Sequence, residues 1–491
     1  MRWVSQRNPP RRKKRKKPAE VSSPVRTDFD SGSFRDRAGR VYLCGDRVVR
    51  GISEEALSDW RKLQETGLYA RLSDTEKIVA TRALPAAQVP LPERERERWA
   101  AFLEHDRIPV ISYAYEWSFE MLRQAGLLTL DLVEEAIGAG MILKDATPYN
   151  VQFVAGRPVF IDIPSFQTLQ PGSTWAGYRQ FCELFLFPLM LQAYKGIDFQ
   201  PFLRARIDGV DVQTMAGLLG LRDRLRKGVF SHVWLQARLD RSYASTRRDV
   251  QQEIRSAGFS KELILANLRK MKSLLKSLSW DGSGSEWGSY ADFHNYSEAD
   301  LSDKESFVEQ CLRDSGADTV WDIGANTGRF ARIAGQHARQ VLAMDVDHFA
   351  VERMFRQNGA EGVTNVLPLV QNVCDPSPNW GWRNGERRDL ASRARPDLVL
   401  CLALIHHVVI SANVPLEEFV DWLAGLAGQL LIEYVARADD KVESLLRNKQ
   451  DLYADYSRKN LEACLSSRYT IRRRHRLGSG NRFLYWCVAK G

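Results

Sequence analysis

At 491 residues the chain exceeds what one hydrophobic core usually organises, so two or three domains are expected. Apolar content of 44% and charged content of 27%, with no run of 18 apolar residues, exclude a natively disordered chain and a transmembrane helix. The net charge of +9 equals the nine Lys and Arg of residues 1–17, which hold no acid, so residues 18–491 are balanced and exclude a basic nucleic-acid footprint spread over the folded surface.

In chain order, residues 1–37 are polar, basic and rich in Pro, Ser and Asp, and read as a disordered basic tail. Its "RRKKRKK" run is suited to nucleic acid, anionic lipid or a transport receptor. No apolar stretch follows these charges, so a secretory signal is not expected. Seven scattered cysteines without a C-x-x-C pair read as reduced thiols of a cytoplasmic protein with no zinc site.

Residues 38–175 have α+β character. "GRVYLCGDRVVRGI" gives two short strands around a Gly-Asp turn, and "SEEALSDWRKLQETGLYARL" is helical. A strand-like "IPVISYAY" precedes a helix near 118–139. Then "VQFV" and "PVFIDI" flank Ala-Gly-Arg as a hairpin. Residues 176–280 are helical throughout. Their last helix carries an apolar stripe of Ile264, Leu268, Met271, Leu275 and Leu278, alternating four and three apart, which core packing explains. Residues 281–290, "DGSGSEWGSY", read as a linker.

Residues 291–491 alternate β and α. Apolar runs at "TVWDIGA", "QVLAMDV", "VLPLVQ", "DLVLCLAL" and "QLLIEYV" predict a doubly wound parallel sheet. "YTIRRRHRL" and "NRFLYWCVA" are joined only by Gly-Ser-Gly, so they must form an antiparallel hairpin, because a parallel pair needs a long crossover.

Ligands of such sheets lie beyond the carboxyl ends of the strands. The first strand runs into "VWDIGANTGRF", with Asp322, Gly324, Asn326 and Gly328 spaced D-x-G-x-N-x-G. This is one residue short of the dinucleotide pattern G-x-G-x-x-G, and its acid suits a cation better than a pyrophosphate. Asp345 ends the second strand, where a carboxylate accepts ribose hydroxyls. Asn372 and Asp375 follow the third, near where a base lies, and the fourth delivers His406 and His407, candidate bases that titrate near neutrality. Glu433 ends the fifth and reads as a further candidate for the acceptor side.

This constellation resembles the class I S-adenosylmethionine-dependent methyltransferases over roughly residues 285–491. The resemblance implies a Rossmann-like seven-stranded sheet closed by the hairpin and a glycine turn against the amino-acid part of the donor. It also implies Asp322 at the donor's ammonium and Asp345 at its ribose. Asn326 stands where many members have glycine, and asparagine tolerates positive φ. Methyl transfer to an O or N acceptor needs alignment and no metal.

A second motif lies earlier. "KDATPYN" and "FIDI" place Asp145, Asn150 and Asp162 around a hairpin. This resembles the catalytic loop and metal-binding strand of protein kinases and related small-molecule phosphotransferases, which implies Asp145 as base and Asn150 and Asp162 as magnesium ligands. Leu143-Lys144 replaces the usual His-Arg, and no Gly-rich loop precedes it. The alternative function is therefore an ATP/Mg-dependent phosphotransferase or nucleotide-binding scaffold.

"YEWSFEML", "KDATPYNVQF", "FIDIPSF", "CDPSPNWGW" and "LALIHHVVI" together resemble a bacterial family of class I methyltransferases with a kinase-like N-terminal region, which includes a rhizobial host-specific nodulation protein. That resemblance allows a small-molecule, saccharide or lipid-linked acceptor.

Overall fold

The computed structural model describes residues 27–244, 261–282, 296–447, 449–450 and 452–490. The "RRKKRKK" run and most of the 281–290 linker lie outside the described residues.

The seven C-terminal strands form one sheet. Its parallel part comprises β10 (Thr319–Ile323), β11 (Gln340–Asp345), β12 (Val366–Val370), β13 (Leu398–Cys401) and β14 (Gln429–Val435). The hairpin is β15 (Tyr469–Arg476) and β16 (Arg482–Ala489), and the spatial order is β12-β11-β10-β13-β14-β16-β15. β16 runs antiparallel to both neighbours, as the short Gly-Ser-Gly link requires. The order reverses between β10 and β13, which opens a crevice at their carboxyl ends.

The five parallel strands are apolar on both faces because both are covered. Val320, Val341, Leu398 and Leu400 pack with Phe307 and Val308 of the helix Glu298–Ser315 and with Ala331 of the helix Arg329–Gly335. The alternate residues Trp321, Ile323, Leu342, Met344 and Val399 belong to a larger core that runs without a break into the N-terminal half.

That half begins with a five-stranded antiparallel sheet in the order β1-β2-β3-β5-β4: β1 (Thr27–Phe29), β2 (Gly39–Cys44), β3 (Arg47–Ile52), β4 (Thr81–Leu84) and β5 (Ala101–His105). The helices Glu54–Glu65 and Leu68–Asp74 lie between β3 and β4 in sequence. The helix Phe119–Gly138 leads to β6 (Met141–Leu143), the hairpin β7 (Val151–Val154) with β8 (Arg157–Phe160), and β9 (Phe166–Thr168), which pairs with β6. Among the described residues no helix is long and apolar enough to cross a membrane.

The stripe of Ile264, Leu268, Met271, Leu275 and Leu278 is buried, and its helix Lys261–Ser277 lies along Phe119–Gly138. Two expectations fail. Residues 27–37 are not a disordered tail: β1 pairs with β2, and Arg35 makes a two-point ion pair with Glu386 (2.7 and 3.0 Å). "IPVISYAY" is not a strand either. Side chains meet its backbone at several points: the Gln152 amide accepts from Ser112 N (2.8 Å) and donates to Ser112 O (3.1 Å), Glu116 accepts from Tyr113 N (2.9 Å), and Arg393 donates to Ile111 O.

Candidate functional site

The residues at the crevice come from five strand ends. Asp322, next to last in β10, is 2% exposed, and its Oδ2 has no hydrogen-bond partner. Burial raises its carboxyl to about 7; nearby Lys304 opposes the shift and Asp345 adds to it. A buried carboxylate with an unmet oxygen is unfavourable unless a cation or donor meets it.

The chain then turns tightly. Gly324 and Ala325 both donate to Met344 O (2.8 and 2.9 Å), fixing the turn to the end of β11. Gly324, Asn326 and Gly328 have φ of 77°, 51° and 82°. Asparagine is among the few side chains that adopt this region readily. At Gly328 any Cβ would meet Met354 Cγ at 2.6 Å, so the close approach demands glycine.

Asp345, half-buried at the end of β11, accepts from Asn326 N (2.7 Å) through Oδ2 and from Asp347 N (2.9 Å) through Oδ1. Burial raises its carboxyl and these backbone bonds oppose the rise. The loop and this acid are thus one unit, locked by a hydrogen bond between the turn and the second strand.

Beyond β12, Asn372 Oδ1 accepts from Cys374 N (2.9 Å). Asp375 is engaged by Arg204, which donates to Oδ1 (2.9 Å) and Oδ2 (3.2 Å) from the helix Gln200–Ala205. Beyond β13, Ala403 is held at φ 51°, an uncommon value for a residue with a side chain.

His406 and His407 follow on a helical turn rather than on the strand itself, so their rings lie side by side, 4.3 Å between centroids, instead of facing opposite ways. His406 is 2% exposed with Nδ1 unpartnered. Burial, then the neighbouring His407, Arg482, Lys441 and Lys304, hold it well below the usual histidine range. Burial and Lys441 also lower His407.

Glu433 of β14 is fully buried and wholly engaged. It accepts from Lys304 Nζ (2.6 Å), Tyr296 Oη (2.7 Å) and Arg482 (3.4 Å). Burial disfavours its charge, but Lys304 and Arg482 hold its carboxyl below the usual range. Arg482 also donates to Asp439 (2.9 and 3.2 Å). Lys304, Tyr296 and Arg482 were not singled out in the sequence. The available signal was a lysine on the apolar side of its helix, four residues from Val308.

The N-terminal trio converges as well. Asn150 Nδ2 lies 3.4 Å from Asp162 Oδ2, and the other Asp162 oxygen pairs with Arg50 of β3. Burial raises the Asp145 carboxyl, followed by the charge of Asp162, with Lys144 opposing.

No protein-family model matches the chain. Among solved structures, the N-methyltransferase NodS from Bradyrhizobium japonicum WM9 is 10% identical with a TM-score of 0.30, covering 40% of this chain and 98% of NodS. A SAM-dependent methyltransferase from Aquifex aeolicus is 17% identical with a TM-score of 0.29, covering 43% and 100%. These likenesses are too distant to assign an activity. A full-length relative is nearer: nodulation protein NoeA of Rhizobium meliloti (strain 1021) is 32% identical over 467 residues, 95% of this chain and 97% of NoeA. At that identity over nearly the whole of both chains, the chain belongs to the family of the rhizobial nodulation protein NoeA.

Proposed function

We propose that the chain is an S-adenosylmethionine-dependent methyltransferase acting on an O or N acceptor, with its site at the carboxyl ends of β10, β11 and β13. The observation that carries this reading is the buried, unmet Asp322 carboxylate beside a positive-φ turn locked to Asp345. A cationic ligand fits that oxygen, whereas a pyrophosphate does not. S-adenosylmethionine supplies a methyl group carried on a sulfonium, together with an ammonium and a ribose.

Asp322 holds the ammonium, the backbone of 324–328 lies against the amino-acid portion, and Asp345 accepts the ribose hydroxyls. Asn372 stays on the base side. Asp375 is left out because Arg204 occupies both its oxygens. His406, neutral at pH 7, offers an unpaired ring nitrogen to the acceptor and orients it, and His407 supports the ring from 4.3 Å. A histidine so depressed is a positioning group and a weak base.

Metal-dependent phosphotransfer or nucleotide binding at Asp145, Asn150 and Asp162 is the second reading. Their convergence favours it, while Arg50 already supplies Asp162 with the positive charge that a metal would bring.

Calorimetric titration of the full chain with S-adenosylmethionine, and separately with ATP and magnesium, tests both. Micromolar binding of the first, weakened at least about tenfold in Asp345→Ala, is expected. A folded protein that binds only ATP with magnesium would overturn the methyltransferase reading.

A further inference from the structure

Although residues 18–491 are balanced, the stretch 219–241 holds six basic side chains against two acidic ones. Both acids are already engaged. Asp223 is buried, accepts from Gly220 N (2.8 Å) and pairs with Lys195 and Arg226 (3.2 Å each), and Asp240 faces Arg179 at 3.6 Å.

The same stretch exposes three large apolar side chains, Leu221 (73%), Leu225 (93%) and Phe230 (63%). The two turns that carry them are neighbours. The turn Leu221–Leu225 packs on the turn Phe230–Trp234, and the Arg224 guanidinium lies 3.6 Å over the Trp234 ring. Arg222, Arg224, Arg226 and Lys227 are exposed around these apolar tips.

Apolar tips within a cationic rim match an anionic lipid surface, where the side chains enter the acyl boundary and the bases meet headgroup phosphates. Other occupants fit less well. A second copy would set two positive surfaces against each other. A peptide needs a groove, and a leucine as exposed as Leu225 lines none.

We propose that this turn docks the protein on anionic lipid bilayers through Leu221, Leu225 and Phe230, with Arg222, Arg224, Arg226 and Lys227 as the electrostatic rim. Docking is independent of methyl transfer, and its failure leaves that reading untouched.

Co-sedimentation of the full chain with vesicles of phosphatidylcholine alone or mixed with phosphatidylglycerol tests it at physiological salt. The wild type is expected to partition onto the mixed vesicles and not onto phosphatidylcholine. Leu225→Ser with Phe230→Ser, two exposed positions whose change leaves the thermal midpoint in place, is expected to lower that partition about tenfold with residues 1–17 intact. Arg222→Glu, which removes no buried contact, should weaken it in the same direction. Equal partition of wild type and double variant, no partition of the wild type, or a wild-type dimer that the double variant dissolves would each overturn the proposal.

Discussion

A carboxylate buried at the end of β10 with one oxygen lacking a partner is stable only as the neutral acid or beside a cation. Asp322 is in that condition, and its value near 7 makes the two options nearly equal at neutral pH. Below pH 7 the group is protonated and neutral; above it the group is charged. A cationic donor binds the charged form, so affinity should rise about tenfold between pH 6 and pH 8, with a proton released on binding. In the free protein the same shift works the other way. The folded state holds this proton more tightly than the unfolded state, so the contribution of Asp322 to stability falls as pH rises from about 4 towards 7. Titrations of S-adenosylmethionine in buffers of different ionisation enthalpy measure the proton release, and Asp322→Asn should abolish the pH dependence. A pH-independent affinity in the wild type would separate Asp322 from the ligand. The residues of this turn were legible because each is a chemical exception in an apolar run: an acid, two glycines and an asparagine. The pairing of Asp375 with Arg204 was not, because 171 residues separate them and neither stands out from its neighbours.

The five parallel strands of the C-terminal sheet were legible as apolar runs because a parallel sheet covered on both faces needs them to be continuously apolar, and the closing hairpin was legible from its short Gly-Ser-Gly link. β4, β5, β6 and β9 are three to five residues long and were not, since their pairing is set by tertiary contact rather than pattern. "IPVISYAY" misled for the converse reason. It has strand composition, but the side chains of Gln152, Glu116 and Arg393 meet its backbone at Ser112, Tyr113 and Ile111 in place of a neighbouring strand. The least legible feature binds elements together: Lys304 from the helix Glu298–Ser315, Glu433 from β14 and Arg482 from β16 meet in a buried ionic network. Removing one partner leaves the other charged in a dry environment, so Lys304→Met is expected to cost about 3–5 kcal/mol, read as a lower urea midpoint at unchanged m-value. A loss below about 1 kcal/mol would mean that Arg482 alone neutralises Glu433.

The sequence reads as modules joined by a linker, yet the two halves share one core. Phe153 meets Phe355 edge-on at 5.7 Å, Tyr115 meets Trp380 at 6.0 Å, and Glu120 N donates to Glu352 at 2.9 Å. The segment between β12 and β13 is the main clasp. Its Arg393 side chain is fully buried, binds both oxygens of Glu116 (2.5 and 3.1 Å) and the carbonyl of Ile111, and lies 4.3 Å over the Tyr113 ring. Burial opposes the Arg393 charge, but Glu116 more than restores it. Nothing in "RRDLASRAR" marks this arginine from the others, because its role exists only once the halves have met. With the core continuous and this pair at the junction, the wild type should unfold in one calorimetric transition. A ligand bound at the C-terminal crevice then stabilises both halves together, by about 2.7 kcal/mol at a hundredfold excess over Kd. Arg393→Met leaves Glu116 buried without its main partner, at an expected loss of about 3–5 kcal/mol. If that pair couples the halves, the variant should melt in two steps, and S-adenosylmethionine should raise only one of them. A single transition that still moves as a whole with ligand would instead assign the coupling to the apolar contacts around Phe153 and Phe355, with the ion pair setting only the register in which they meet.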